Sequence, residues 1–349
     1  MNLILNQEKV YLLDMSVTEM VEALDIKRYQ ASQVFRWLHQ KKMPDFDQMT
    51  DVSKALRSHL KTRCLATCLQ TIHMKQSQQT GTKKALFQLH DGESVESVLI
   101  RDRTRVTLCL SSQVGCPLKC EFCATGLAGF TRNLSTGEIV EQALSLLRDE
   151  DLEGRTPNIV YMGMGEPFRN YDAVSKSIRL LMEKDGLGIG ARKITVSTAG
   201  DVPGIERFTE EDWQVRLSIS LHAANDTLRS KLVPLNRRYP LAKLRDAILS
   251  YQARSDRQIT FEWTLLHGVN DSLDDANALV LFARELKATV NLIPWNPVSG
   301  LPFSPSPREQ CERFRDCLLI QGITTTLRRE KGQDIEAACG QLRRTHGVA

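Results

Sequence analysis

The sequence predicts an α/β fold: a partial (β/α)6-type barrel, preceded by a small helical domain and a linking β-hairpin. Three observations carry this. From Val106 onward, apolar strand-like runs alternate with amphipathic helical stretches, the pattern of parallel β/α units. Across residues 16–69 the apolar spacing is helical instead. Across 70–100 it switches to the two-residue period of paired strands.

Taken in order, Ser16-Val17-Thr18-Glu19 has the form of a capping box and opens the first helix. A second helix is expected over 31–39 and a third over 53–60, with Pro44 as the break between them. Residues 84–89 and 94–100 alternate like strands, and Asp91-Gly92 supplies the turn of a hairpin. Barrel strands are expected at 106–111, 158–163, 193–198, 215–221, 259–266, 289–295 and 324–328. Helices are expected near 136–147, 171–182, 242–254, 273–286 and 308–321. The expected divisions are 1–70, a basic helical domain; 71–104, the hairpin; 105–330, the barrel; and 331–349, a C-terminal segment. In such barrels the reactive residues sit at the C-terminal ends of the strands.

Composition narrows the class. The 349 residues are 42 % hydrophobic and 25 % charged, ordinary values for a soluble globular chain. No run approaches the ~20 apolar residues of a membrane span. Residues 1–15 carry Asn, Gln, Glu, Lys and Asp early, which fits neither a secretory signal nor a lipid anchor. Nine cysteines with no small disulfide-scaffold pattern argue for a reducing cytoplasm. Nothing demands more than a monomer. The net charge of +4 hints only weakly at nucleic acid. Its distribution says more. Lys27, Arg28, Arg36, Lys41, Lys42, Lys54, Arg57, Lys61 and Arg63 face only Asp45, Asp47 and Asp51, with Tyr29, Phe35, Trp37 and Phe46 interleaved. Such a segment is either a phosphate-binding arm or a helical domain with an aromatic core and solvated charges.

The chemistry concentrates in Cys116-Pro117-Leu118-Lys119-Cys120-Glu121-Phe122-Cys123, which follows the first barrel strand. A 4Fe–4S cube takes one protein ligand per iron, usually four cysteines. Three thiols leave one iron open, and S-adenosylmethionine (SAM) can chelate an open iron and be cleaved there to a radical. Structural zinc is the competing reading, but it is normally closed by four ligands in paired units. Here the second pair is missing, and Cys109 is the candidate for a fourth ligand.

Other strand ends supply polar groups. Met162-Gly163-Met164-Gly165-Glu166-Pro167 ends the second strand. Its glycines permit close backbone approach of a ligand, or simply turn the chain. Glu166 could accept hydrogen bonds from an ammonium group. Ser197 and Thr198 end the third strand, Ser220-Leu221-His222-Ala223 the fourth, and Asn296 follows the sixth. Each alone suits a turn or cap equally well; their shared position favours a site. Cys339 lies in a run of small residues near the C-terminus, and Cys109 sits seven residues before the triad. They are either a reactive dithiol or inert cytosolic cysteines. Cys64, Cys68, Cys311 and Cys317 read as structural, and His39, His59 and His73 lack metal-ligand spacing.

Together the CxxxCxFC triad, the preceding Cys-Leu-Ser-Ser-Gln-Val-Gly, Gly-Met-Gly-Glu-Pro, Ser-Leu-His-Ala, Val-Asn-Leu-Ile-Pro-Trp-Asn-Pro and Asp-Ile-Glu-Ala-Ala-Cys-Gly-Gln-Leu resemble the bacterial radical-SAM methyltransferases of RNA adenine. The resemblance spans nearly the whole chain and is nearest to the branch acting on carbon 2 of adenine in 23S rRNA and certain tRNAs. It implies a radical-SAM barrel and one 4Fe–4S cluster on Cys116, Cys120 and Cys123. It implies SAM contacts at Gly165, Glu166, Ser197, Ser220, Leu221, His222 and Asn296. Cys339 would carry the methyl group, Cys109 would form a transient disulfide with it, and Glu96 would be the general base, with Glu93 three residues away as the rival. An electron donor such as flavodoxin or ferredoxin is implied as well. The implied route uses two SAM molecules: one methylates Cys339, and the other is cleaved to the radical that activates that methyl group. Competing functions are methylation at carbon 8 of the ribosomal adenine, maturation of a protein by a radical-SAM enzyme, and a non-enzymatic RNA-binding protein with a structural metal.

Overall fold

The computed structural model describes residues 9–103, 105–329 and 331–342. The chain enters through β1 (Val10–Tyr11), a 3-10 turn at Leu12–Asp14, and then α1 (Val17–Leu24) and α2 (Arg28–Phe35). A π-helical turn (Arg36–Gln40), α3 (Lys54–Arg63) and β2 (Cys64–Leu65) complete this part, with β2 parallel to β1. The expected capping box forms: Ser16 Oγ accepts from Glu19 N–H, and the Glu19 carboxylate accepts from Ser16 N–H. The helix expected over 31–39 starts earlier, at Arg28, and widens into the π turn at its end. Leu12, Met20, Ala31, Val34, Phe35 and Leu60 are fully buried. His39 is buried too, stacked on Phe35 at 3.9 Å, and burial pushes its pKa down to about 3. It is a neutral core ring.

Next come β3 (Leu69–Gln76), β4 (Lys83–Leu89), β5 (Ser94–Asp102) and β6 (Arg105–Cys109), each antiparallel to the one before. The expected hairpin strands are β4 and β5, and they continue the barrel sheet through β6. Strand β3 falls within the 70–100 stretch expected to be strand-like but does not stand apart there as an element of its own, because only Leu69 of its eight residues is buried. It has no apolar stripe to give a period.

After β6 come a small antiparallel pair, β7 (Gln113–Gly115) and β8 (Phe130–Asn133), with the short α4 (Ala124–Leu127) between them. The barrel proper then runs α5 (Thr136–Leu147), β9 (Asn158–Tyr161), α6 (Tyr171–Met182), β10 (Ile194–Thr198) and α7 (Val202–Thr209). It continues through β11 (Arg216–Ser220), α8 (Asp226–Leu232), α9 (Leu241–Ser255), β12 (Ile259–Leu265) and α10 (Leu273–Ala283). It closes with β13 (Ala288–Pro294), α11 (Arg308–Ile320) and β14 (Thr325–Leu327). The parallel order is β6-β9-β10-β11-β12-β13-β14, and β6 pairs on its other side with β5. The parallel run therefore stays open, a partial barrel with helical crossovers. Its strands are buried on both faces, which is why they read as apolar runs.

The strand and turn that open the N-terminal part, and the 67–69 segment that leaves it, are bolted to α5. Buried Glu141 accepts from the Tyr11 and Thr67 hydroxyls and from the N–H groups of Cys68 and Leu69. Asp14 accepts from Gly137 N–H at the start of α5. Among the described residues no helix is long and apolar enough to cross a membrane.

Candidate active site at the C-terminal strand ends

The loop between β6 and α5 carries the three-thiol motif, and the backbone fixes its course. Ser112 N–H donates to Met164 O, and Cys116 N–H to Gly129 O. A Cβ at Gly115 would lie 1.8 Å from Gly129 O, and its φ is +78°, so only glycine fits this crossing. The far side of the loop is clamped to the barrel. Trp295 Nε1 donates to Phe122 O at 2.9 Å, and the Phe122 ring meets the His222 ring edge-on at 4.6 Å.

Cys116, Cys120 and Cys123 border a cavity of about 150 Å³ together with Gly165, Glu166, Ser197, Ser220, His222 and Cys339. Among the described residues no three His, Cys, Asp or Glu side chains close on one ion. A tetrahedral zinc site would hold its sulfurs about 3.8 Å apart. Cys109, the sequence candidate for a fourth ligand, lines an adjoining cavity instead. Burial pushes the Cys116 thiol up to about 12 and raises the Cys120 thiol well above its ordinary value. A bound metal centre supplies the positive charge that deprotonates such thiols. Cys116, Cys120 and Cys123 thus offer three thiol donors to one cavity.

Around the rim, Gly165 has φ +104°, and a Cβ there would meet Gln113 at 2.7 Å. Glu166 accepts from Phe168 N–H at 3.2 Å and Ala199 N–H at 2.8 Å, and burial raises its pKa to about 7. Ser197 Oγ and Ser220 Oγ lie 3.3 Å apart. Burial holds His222 neutral, its pKa lowered to about 3. Its Nδ1 accepts from Thr264 N–H, which leaves the proton on Nε2. Leu221 departs from the sequence pattern: it is fully buried and lines neither cavity. Its carbonyl is held by Arg229, a buried guanidinium that also grips Ala199 O and Asn236 Oδ1. Arg229 thus ties the ends of β10 and β11 together. No sequence motif marked it.

Cys109, at the end of β6, shares the adjoining cavity with Cys339, Asn296 and Arg328. Both cysteines are free thiols. Burial pushes Cys109 up to about 12, and it raises Cys339 against the pull of Arg328, whose guanidinium donates to Cys339 Sγ at 3.1 Å. The segment around Cys339 lies across the barrel mouth. Asn296 Nδ2 donates to Cys339 O, Ala124 N–H to Gly340 O, and Thr125 Oγ1 to Leu342 O. The two candidate bases differ. Glu93 sits in the β4–β5 turn, whereas Glu96 is buried on β5 beside Lys84. Glu96 lines neither cavity. A larger concavity of about 730 Å³ opens at the opposite strand ends, ringed by Arg101, Arg103, Arg105, Arg155, Arg192 and Arg216. No thiol lines it, and it lies at the end of the barrel away from the chemistry.

Comparison with known proteins decides the family. The model of the ribosomal RNA large subunit methyltransferase N-terminal domain matches residues 10–65, and that of the radical SAM superfamily matches 110–280. The chain is 45 % identical over 335 residues to the probable dual-specificity RNA methyltransferase RlmN of Thermotoga sp. (strain RQ2), covering 95 % of this chain and 97 % of that protein. The chain belongs to the RlmN family of radical SAM RNA methyltransferases. The RlmN relative of Staphylococcus saprophyticus is 45 % identical over 318 residues, which are 91 % of this chain and 87 % of its own. A crystal structure of a radical SAM methyltransferase from Sphaerobacter thermophilus superposes with a TM-score of 0.92 at 46 % identity, over 95 % of this chain and 99 % of that one. Membership of the RlmN family brings SAM and an iron–sulfur cluster as cofactors, and the α/β barrel is the radical SAM fold.

Proposed function

We propose that this chain methylates carbon 2 of adenine in 23S rRNA and in tRNA, with Cys339 as methyl carrier and Cys109 as the thiol that releases the product. The observation that carries this reading is the pair of free thiols on one cavity beside the three-thiol loop. Carbon 2 of adenine lies between two ring nitrogens and is electron-poor, so it cannot attack the SAM methyl group as a nucleophile. Cys116, Cys120 and Cys123 hold a 4Fe–4S cluster, and Gly165, Glu166, Ser197, Ser220, His222 and Asn296 contact SAM; Leu221 contributes only its backbone. When bound, cluster and SAM supply a hydrogen-abstracting 5′-deoxyadenosyl radical.

The chain's own residues do the rest. Cys339 takes a methyl group from one SAM, and the Arg328 guanidinium beside its sulfur favours the attacking thiolate. After hydrogen is removed from that methyl group, its carbon bonds to carbon 2. Glu96 takes the carbon 2 proton. The electron left over after proton removal would return to the cluster. Cys109 then attacks the Cys339 sulfur as a thiolate, the carbon–sulfur bond breaks with its electron pair staying on carbon and taking a solvent proton, and a disulfide remains for cellular thiols to reduce. A small one-electron donor of the flavodoxin or ferredoxin kind reduces the cluster.

Incubation with SAM, reductant and unmodified 23S rRNA fragments or tRNA, followed by nucleoside mass spectrometry, tests the substrate. The expected product in both RNAs is 2-methyladenosine; 8-methyladenosine would overturn the assigned carbon. Glu166→Gln is expected to raise the dissociation constant for SAM about ten- to hundredfold, the worth of one charge-assisted hydrogen bond. Unchanged affinity would remove Glu166 from the SAM site.

The N-terminal domain is proposed to hold the RNA around the target base, which must leave its stack to enter the barrel. Arg28, Tyr29, Ser32, Gln33 and Arg36 form a shallow concavity on α2, and Tyr29 is 60 % exposed. Lys41 stacks over Trp37 at 3.3 Å. Lys42 is spent differently: its ammonium donates to Leu147 O at the end of α5. Neutralising Arg28, Arg36 and Lys41 together is expected to flatten the salt dependence of RNA binding by about 0.7–0.9 per lost phosphate contact. An unchanged slope would place the RNA elsewhere.

A further inference from the structure

Lys84 and Glu96 form an ion pair in a place where ion pairs are costly. Both are 6 % exposed, and Lys84 Nζ lies 3.0 Å from Glu96 Oε1. The register pairs Lys84 with Val98 and Leu86 with Glu96. That puts the two side chains on one face of adjacent strands, on the diagonal that long side chains can span. Two apolar residues of similar volume would hold the sheet as well or better, because burying both charges costs about what their attraction returns. Stability alone does not account for the pair.

The ammonium has a second partner. Lys84 Nζ also donates to Glu336 O at 3.0 Å, three residues before Cys339. One cation therefore joins the candidate base to the segment that bears the candidate methyl carrier. The backbone of Glu96 is fixed independently: Ser111 Oγ donates to Glu96 O at 2.6 Å and accepts from Met164 N–H at 2.9 Å. Ser111 and Met164 belong to the loops at the active-site end of β6 and β9. The peptide of Glu96 is thus held by the site, and its carboxylate by Lys84.

We propose that Lys84 is a positioning residue for proton removal: it aims the Glu96 carboxylate and anchors the Cys339 segment, so that base and carrier converge on the same adenine carbon. This rests on the reading of Glu96 as base and Cys339 as carrier. The proton leaves carbon 2 and ends on a Glu96 oxygen. Lys84 keeps its own protons throughout and changes only where that oxygen stands.

The test uses the full-length, cluster-loaded protein and RNA deuterated at carbon 2 of the target adenine. Lys84→Met is expected to retain SAM cleavage and methylation of Cys339, both followed by mass spectrometry. It is expected to make RNA product about 10²-fold more slowly, the low end of what general-base catalysis contributes. It should also show a carbon 2 deuterium isotope effect on product formation larger than that of the unsubstituted protein. Lys84→Arg, which keeps the charge, is expected to recover much of the rate. Product formation at the unsubstituted rate overturns the inference. So does a slower rate with an unaltered isotope effect, or loss of Cys339 methylation, because either one makes Lys84 a purely structural residue. Glu96→Gln keeps the parent reading separate. Full methylation by Glu96→Gln removes the base itself, whereas a slow, isotope-sensitive Glu96→Gln beside a normal Lys84→Met removes only the role of Lys84.

Discussion

Cys339→Ala is expected to abolish RNA methylation, by about 10³-fold or more, as deletion of a covalent catalyst does elsewhere. The loss should be specific. The three-thiol loop keeps its contacts to Trp295, His222 and Gly129 without the Cys339 side chain. SAM cleavage to 5′-deoxyadenosine therefore continues in the variant, uncoupled from product. Intact-mass analysis of the unsubstituted protein should show one added methyl group, localised to the peptide containing Cys339, and the variant should lack it. The fold should survive, because the segment is tied down through backbone groups: Cys339 O to Asn296, Gly340 O to Ala124 and Leu342 O to Thr125. A variant that still methylated RNA would mean that methyl transfer bypasses this sulfur.

Cys109→Ala is expected to fail later, and differently. Carbon–carbon bond formation needs only Cys339, so the variant should reach the stage at which protein and RNA are joined and stop there. Denaturing gels should show a protein–RNA adduct, absent from the Cys339→Ala,Cys109→Ala double variant. Cys109 is suited to the releasing role by place rather than by acidity. It ends β6, lines the cavity that Cys339 also lines, and burial keeps its pKa near 12. Nearness to its target has to compensate for a low thiolate fraction. Loss of activity with no adduct would show that another group releases the product.

Much of this molecule is written locally in its sequence. Parallel strands buried on both faces read as apolar runs, so the barrel was legible. The three-thiol loop is a motif of eight residues, and the capping box at Ser16 is a four-residue signal that forms as expected. What escaped is what the fold assembles from distant positions. Lys84 and Glu96 meet only because β4 and β5 pair in one register. Arg328 finds Cys339 only after the C-terminal segment crosses the barrel mouth. Arg229 sits on α8, a seven-residue helix too short for a clear period. Leu221 lies inside a motif whose neighbours Ser220 and His222 face the cavity, yet its own side chain points into the core. A contiguous motif identifies the segment, while the alternation of the chain decides which of its members face the ligand.

The methyl group is proposed to reach adenine through Cys339. The most direct measurement supplies SAM with a trideuterated methyl group, reductant and unmodified RNA, and weighs both products. Passage through a methyl-bearing cysteine removes one deuterium to the 5′-deoxyadenosyl radical, and a solvent-derived proton later completes the methyl group. The expected result is 2-methyladenosine carrying two deuteria, with one deuterium in 5′-deoxyadenosine. A product carrying all three deuteria would mean direct transfer from SAM and would contradict the role of Cys339.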